Sequence, residues 1–194
     1  HKSWVNDAIF STDGQIVATA TSNGKIRIWN STGKLIHEFV DNKKGVYEIS
    51  FSPDGKKIAT AGYDGKARIR NISGELIREW RADSRWVETV AFSPDGLQLA
   101  TGGAEGIVKL WSLTGQQLAD FPATKGRGTA MNISFSPDGK QLATGGEDGV
   151  GRLWRIENLD ELLIRGCQWV NDYLAYNLDV DEGDRQMCGI TNKK

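Results

Sequence analysis

The chain has few of the residues from which enzymes build reactive or metal-binding sites. Only two histidines and two cysteines occur among its 194 residues, and the cysteines lack a C-x-x-C spacing. A multi-histidine metal site cannot be assembled from this set, and a nucleophile paired with a histidine base is not expected. We therefore expect no catalytic residue, no metal and no cofactor.

Long apolar runs and an excess of positive charge are also missing. No run reaches the 18 or more apolar residues of a spanning helix, no cleavable leader opens the sequence, and the net charge is −1. We expect a cytoplasmic protein that binds neither a membrane nor nucleic acid. A basic column recurs along the chain at Arg27, Arg68, Lys109 and Arg152. Periodicity alone accounts for such a column.

Cys167 and Cys188 both lie near the end of the chain. A small secreted scaffold would normally have more cysteines, so the favoured interpretation is two reduced thiols in a reducing compartment. The alternative is a local disulfide that pins the C-terminal segment.

Four copies of one pattern fill most of the chain: an apolar strand, an F-S-[P/T]-D-G turn, an [ILV]-A-T strand, a second turn, and an apolar strand that ends in Trp or its substitute. The first turns lie at 10–14, 51–55, 92–96 and 135–139, in steps of 41, 41 and 43 residues. A period of about 40 to 45 residues with four short strands per unit is typical of propeller blades. The sequence therefore predicts an all-β fold.

Three turns are predicted within each repeat. The glycine of the first, as in Ser52-Pro53-Asp54-Gly55, suits a left-handed conformation. The second, as in Asn23-Gly24, has the composition of a two-residue hairpin loop. The third contains [S/T]-G, as in Thr32-Gly33. Three turns that join four strands make one up-and-down blade.

These motifs resemble the WD40 family over residues 1–156, which divide into four repeats at about 1–41, 42–82, 83–123 and 124–156. The resemblance implies a buried hydrogen-bonded group in each blade that joins a Trp, a Ser or Thr, an Asp and a His. Its members here are His1, Thr19, Trp29, Thr60, Asp64, Thr101, Trp111, Thr144, Asp148 and Trp154.

No repeat keeps all four family residues. Arg70 replaces the Trp of the second blade, and Asn42 and Asp83 stand at the His position of the second and third. We therefore expect apolar packing to supply most of the cohesion between strands and between blades.

The family resemblance also implies a ring of seven or eight blades, of which this chain has four. Because the sequence starts at His1, inside a repeat, we interpret it as a fragment whose missing upstream blades close the ring. Two alternatives are a second copy that completes an eight-bladed ring and four blades that close on themselves.

Residues 157–194 no longer follow the repeat. Leucines at 159, 162 and 163, followed by Trp169, Val170 and Tyr173, predict an amphipathic helical tail with a break at Gly166. This segment resembles the end of large bacterial WD40 proteins, whose repeats act as a sensor array behind a signalling domain such as a STAND-type NTPase. The alternative is a helix that only covers the last blade.

The position just before the first strand of each blade lies near the central channel in the family. Trp4 and Trp86 occupy it in two blades, and Tyr47 and Met131 follow two residues after it in the others. Exposed aromatic residues are common anchors of protein interfaces. We predict a non-catalytic scaffold that binds a protein or peptide through these four residues. The alternative is part of a propeller enzyme, in which His1, Asp83 and Glu88 would share one polar pocket.

Overall fold

The structure is a computed structural model that describes residues 2–126, 128–156, 166–168 and 188. The chain divides into two compact units, His1–Arg155 and Ile156–Lys194. The first unit contains fifteen strands in its described part. They are β1 (Val5–Phe10), β2 (Ile16–Thr21), β3 (Lys25–Asn30), β4 (Leu35–Val40), β5 (Val46–Phe51), β6 (Lys57–Gly62), β7 (Lys66–Asn71), β8 (Leu76–Arg81), β9 (Val87–Phe92), β10 (Gln98–Gly103), β11 (Ile107–Ser112), β12 (Gln117–Pro122), β13 (Ala130–Phe135), β14 (Gln141–Gly146) and β15 (Gly151–Arg155).

The strands form four antiparallel sheets, each in chain order, and we call these sheets blades one to four. Blades one to three have four strands, and blade four has three, β13 to β15, in the described part of the chain. The predicted all-β architecture of four propeller blades is confirmed.

Each blade has a β-bulge where its first strand begins. The register shifts between Val5 and Asp7 in blade one, and it shifts at the corresponding place in the other three blades. The unpaired residues are Asn6, Tyr47, Glu88 and Met131. A bulge turns the side chain of its extra residue away from the regular alternation of the strand. These four side chains are therefore free to point away from the packed faces.

Apolar packing joins consecutive blades, as the sequence predicts. One buried cluster combines residues of β2 and β3 with residues of β5 and β6: Ala18, Ala20, Ile26, Ile28, Val46, Ile49 and Ile58. A second cluster joins blades two and three in the same way. These two interfaces thus pair mainly the middle strands of one blade with the first two strands of the next.

The outer faces of blades one and four are exposed. Val5 is 45% exposed, whereas its counterparts Val46 and Val87 are fully buried. Leu153 of blade four is 65% exposed, whereas its counterpart Leu110 is 3% exposed. Among the described strands, β1 packs on β5, β5 on β9 and β9 on β13, and β13 has no such packing with β1. In the described part of the chain, the four blades do not close on themselves.

The turns explain the regular positions of glycine. In the first turn of blade one the Gly14 N–H donates to the Ser11 carbonyl, and Gly14 has a φ of 68°. The second turn was predicted to have a two-residue loop, and this is wrong. Three residues, 22–24, separate β2 from β3, and Asn23 keeps a negative φ while Gly24 has a φ of 80°. A tight two-residue turn of the predicted type needs positive φ at both central residues, which Asn23 does not adopt.

One expectation about the C-terminal segment is wrong. Cys167 and Cys188 form a disulfide with Cα atoms 5.2 Å apart, so they are not free thiols in this structure. Gly166 has helical conformation together with Cys167 and Gln168, and the predicted break at Gly166 stays a prediction because the flanking residues lie outside the described part of the chain. The rest of the predicted tail helix lies outside the described residues.

No helix in the described part of the chain is long and apolar enough to span a membrane.

Candidate interaction surface

A backbone hydrogen bond that recurs in all four blades builds one edge of the array. The carbonyl of the residue just before the first strand accepts from the N–H of the residue just after the second strand. The pairs are Trp4 with Ser22, Gly45 with Tyr63, Trp86 with Ala104, and Thr129 with Glu147. Two residues from separate parts of each repeat are thereby placed side by side at this edge.

Three aromatic rings meet at this edge between blades two and three. The ring centroids of Tyr47 and Tyr63 are 5.3 Å apart, and those of Tyr63 and Trp86 are 6.1 Å apart with an interplanar angle of 20°. The Arg85 guanidinium lies over the Trp86 ring, 4.4 Å from its centroid. Tyr63 is 48% exposed. We call Tyr47, Tyr63 and Trp86 the aromatic shelf.

Position 45 favours glycine, because its backbone conformation and the close approach of Ser22 both disfavour a side chain. Gly45 has a φ of 116°, and a Cβ there would lie 2.7 Å from the Ser22 carbonyl oxygen. Blade two therefore has no side chain where blades one and three have Trp. Tyr63, hydrogen-bonded to Gly45 through the backbone, supplies the aromatic ring of this blade instead.

The four bulge residues converge on one open cleft of about 350 Å³, bordered by the four innermost strands. Its lining residues are Asn6, Asp7, Tyr47, Glu48, Glu88 and Met131. We call it the axial cleft. Two predicted contact residues, Tyr47 and Met131, are thus brought together, and Tyr47 belongs both to this cleft and to the aromatic shelf.

Asp7, Glu48 and Glu88 make the axial cleft acidic, and the pKa values of Glu48, Glu88 and Tyr47 are raised there. Burial raises the pKa of Glu88, and the nearby Glu147 raises it further. Burial, together with the charges of Asp7 and Glu88, also raises the pKa of Glu48. For Tyr47, burial and the Glu88 carboxylate raise the pKa to about 12. Burial is the first cause of each of these shifts, and the neighbouring carboxylates add to it.

The other predicted contact residues lie apart from this cleft. Trp4 is 83% exposed on blade one. Trp86 lines a second cleft between blades three and four, with Arg85, Glu105, Thr129 and Glu147 on its walls.

The predicted hydrogen-bonded group is built around Trp and Thr in three blades. The indole Nε1 donates to the Thr hydroxyl over 3.1 Å from Trp29 to Thr19, 2.8 Å from Trp111 to Thr101, and 3.0 Å from Trp154 to Thr144. His1 lies outside the described residues. Asp83 accepts from the N–H of Arg85 in its own loop and from the N–H of Glu105 in the turn between β10 and β11.

Blade two replaces the indole with an ion pair. Arg70 Nε donates to Asp41 Oδ1 over 2.8 Å, and the Thr60 hydroxyl donates to Asp41 Oδ2 over 3.1 Å. Asp41 has a fully buried side chain, and Arg68 also reaches it, at 3.5 Å. The partner of Thr60 is therefore Asp41, one residue before Asn42, whose amide instead holds the loop at Lys44 and Gly45.

The basic column is paired within the protein. Arg68 bonds Asp64, Lys109 bonds Glu105, Arg152 bonds Asp148 and Arg27 bonds Glu38. The hydrogen bonds from Arg152 hold the pKa of Asp148 well below its usual range. Asp64 and Asp148 thus act here as acceptors for arginine.

No group of three or more potential metal ligands occurs among the described side chains. Asp83 is buried and is not among the lining residues of the cleft that holds Glu88. Asp83 and Glu88, the two described residues of the polar pocket expected for a propeller enzyme, therefore do not share this cleft.

Sequence reasoning missed Tyr63, Arg85 and Asp41. Tyr63 stands where the other repeats have Ser22, Ala104 and Glu147, and the change to a large aromatic beside Gly45 was a readable signal. Asp41 carried no family signal, because it forms the partner of an arginine that the family pattern does not contain.

The family model described as "WD domain, G-beta repeat" matches residues 1–30, 33–71, 74–112 and 115–155. The chain belongs to this WD40 family. Repeats of this family generally mediate protein interactions as scaffolds, and they are typically non-catalytic. A comparison with curated proteins found no match.

Proposed function

We propose that this chain is a non-catalytic recognition module that binds a protein or peptide at the aromatic shelf. The observation that supports it most is the convergence of Tyr47, Tyr63 and Trp86, from two blades, at one exposed edge. Tyr and Trp anchor interfaces because they bury a large area at small cost in side-chain entropy. Their backbone is held by strands and by the repeated edge hydrogen bond, so little ordering is needed on binding.

Peptides selected from a random displayed library on the intact chain test this proposal. We expect the variant Tyr63→Ala/Trp86→Ala to bind the selected peptides at least about 10-fold more weakly, because truncated anchors cost about 2 kcal/mol or more. The affinity of each peptide is measured by titration calorimetry.

Leu97→Ala is the matched control, because Leu97 is an exposed apolar residue in the first turn of blade three, at the opposite edge of the strands. Circular dichroism verifies that all variants are folded. Peptides that respond to Leu97→Ala and not to the shelf variant would contradict the proposal.

We further propose that this module is the recognition part of a larger cytoplasmic signalling protein of bacterial type, such as the sensor array of a STAND-type NTPase. The resemblance of residues 157–174 to the ends of such proteins supports this. The Cys167–Cys188 disulfide weighs against a reducing compartment. The natural open reading frame tests this proposal. We expect an upstream phosphate-loop motif, and a secretory leader in its place would contradict the proposal.

Ring completion is a second part of the proposal. Inside the array, the face of a blade that carries its middle strands packs on the face of the next blade that carries its first strand. Blade one leaves a first-strand face exposed, and blade four leaves a middle-strand face exposed. We propose that further blades cover them, supplied by an upstream segment or by a second copy.

Light scattering tests this with Leu153→Asp. The chain alone has a mass of 21.3 kDa, and we expect it to self-associate or bind an apolar dye strongly. Leu153→Asp should reduce both effects, whereas Leu118→Asp, an exposed residue of the outer strand β12, should not. A wild-type monomer that binds no dye would overturn the proposal, because the two faces would then not need further blades to cover them.

A further inference from the structure

The aromatic shelf and the axial cleft form one continuous surface that shares Tyr47. The Tyr47 ring lies next to Tyr63, which in turn contacts Trp86, and Tyr47 also lines the cleft together with the carboxylates. Flat aromatic faces beside carboxylates are the combination that holds a basic side chain, because rings attract cations and pack against alkyl stems.

Among the described residues, the carboxylates of the cleft have no cationic partner. Its lining contains no Lys, Arg or His, and Asp7, Glu48 and Glu88 form no salt bridge in the described part of the chain. The basic column differs, because each of its cationic side chains forms a salt bridge with a carboxylate of the protein.

Backbone donors satisfy only part of this charge. Asp7 accepts from the N–H groups of Ala8 and Ile49, and Glu48 accepts from the N–H of Val90. These bonds are with neutral groups and leave the net charge of the cleft unchanged. Glu88, which projects from a bulge, lies closest in sequence to the shelf residue Trp86 and joins the two parts of the surface.

We propose that the partner inserts a basic side chain, arginine or lysine, into the axial cleft, with its stem against Tyr47 and its charge on Glu88. This rests on the proposed function and specifies its ligand. Neighbouring residues of the partner then lie along the aromatic shelf toward Trp86. Arg85 already covers the Trp86 ring at that end, so the incoming cation belongs at the Tyr47 end.

Short blocked peptides test the proposal on the intact chain. Acetyl-Gly-Arg-Gly-amide is compared with its citrulline counterpart, which has nearly the same shape and no charge, and acetyl-Gly-Lys-Gly-amide is compared with its Nε-acetyl-lysine form. Binding is followed by NMR of the ¹⁵N-labelled protein, with the Trp86 indole signal assigned through Trp86→Phe. We expect each charged peptide to bind at least about 10-fold more tightly than its neutral form.

Glu88→Gln should weaken the charged peptides at least about 5-fold and leave the neutral ones unchanged, since it removes the charge and keeps the shape. Asp120→Asn is the matched control, because Asp120 is an exposed carboxylate on the outer strand β12. It should change nothing.

Three results would overturn the proposal. The first is equal binding of charged and neutral peptides, and the second is unchanged peptide affinity in Glu88→Gln. The third is a shift of the same NMR signals by about 1 mM Ca²⁺ and not by the peptides, because that result would assign the cleft to a metal ion. The proposed function would survive all three if library-selected peptides still required Tyr63 and Trp86. It would fail by itself if those peptides ignored the shelf.

Discussion

Asp41→Ala is expected to lower the free energy of unfolding by about 3 to 5 kcal/mol, the usual cost of removing one partner from a buried ion pair. The carboxylate is fully buried and accepts hydrogen bonds from Arg70 and Thr60. Without it, the Arg70 guanidinium would keep its charge in a largely buried site with only carbonyl acceptors, such as that of Gly74. Urea unfolding followed by circular dichroism measures the change.

A second substitution distinguishes the energetic cost of the unpaired arginine from the cost of lost packing. In the other three blades an indole donates to the threonine hydroxyl, so Asp41→Ala combined with Arg70→Trp should let the new indole donate to Thr60. We expect the double variant to recover most of the lost stability. Asp120→Ala, at an exposed carboxylate, should cost less than about 0.5 kcal/mol. A loss below about 1 kcal/mol for Asp41→Ala, or a double variant no better than the single one, would contradict this account.

Gly24→Ala is expected to destabilise the chain by about 4 kcal/mol or more, which places it in the exceptional tail of point mutations. Gly24 has a φ of 80°, and a Cβ there would lie 1.7 Å from the carbonyl oxygen of Asn42. The obstacle is backbone, so the segment that carries Asp41 would have to move. Asp41 also donates its N–H to the Gly24 carbonyl, and this bond would be disturbed as well.

Gly14→Ala is the matched control for this prediction. Gly14 has a similar φ of 68°, but no atom lies within 4 Å of the added Cβ. Its substitution should cost only the left-handed strain of a non-glycine residue, about 1 to 2 kcal/mol. The difference between the two variants in the same urea experiment isolates the close approach to Asn42. Equal losses would show that backbone strain alone accounts for both.

The repeat itself was predictable because local rules decide it. The turn glycines and the alternation of apolar residues each follow from a few neighbouring residues at a fixed spacing, and the pairing of Trp29 with Thr19 was implied by the family resemblance. Strand order then followed from the shortness of the loops. None of these features depends on contacts between distant parts of the chain.

The features that sequence reasoning missed depend on contacts across blades or on one departure from the pattern. Tyr63 reaches Trp86 only because consecutive blades pack side by side. Asp41 pairs with Arg70 across 29 positions. Pairing of Cys167 with Cys188 depends on how the segment between them folds, and neither cysteine count nor spacing reveals that.

The rings of the aromatic shelf belong to two different blades, with Tyr47 and Tyr63 on blade two and Trp86 on blade three. A ligand that grips all three rings must therefore lose its affinity when these blades separate. By linkage, such a ligand acts as a clamp whose binding free energy is added to the cohesion of the joint between blades two and three. Mechanical or thermal opening of the array at that joint would become a readout of ligand occupancy, so the same surface can report both that a partner has arrived and that the array is intact.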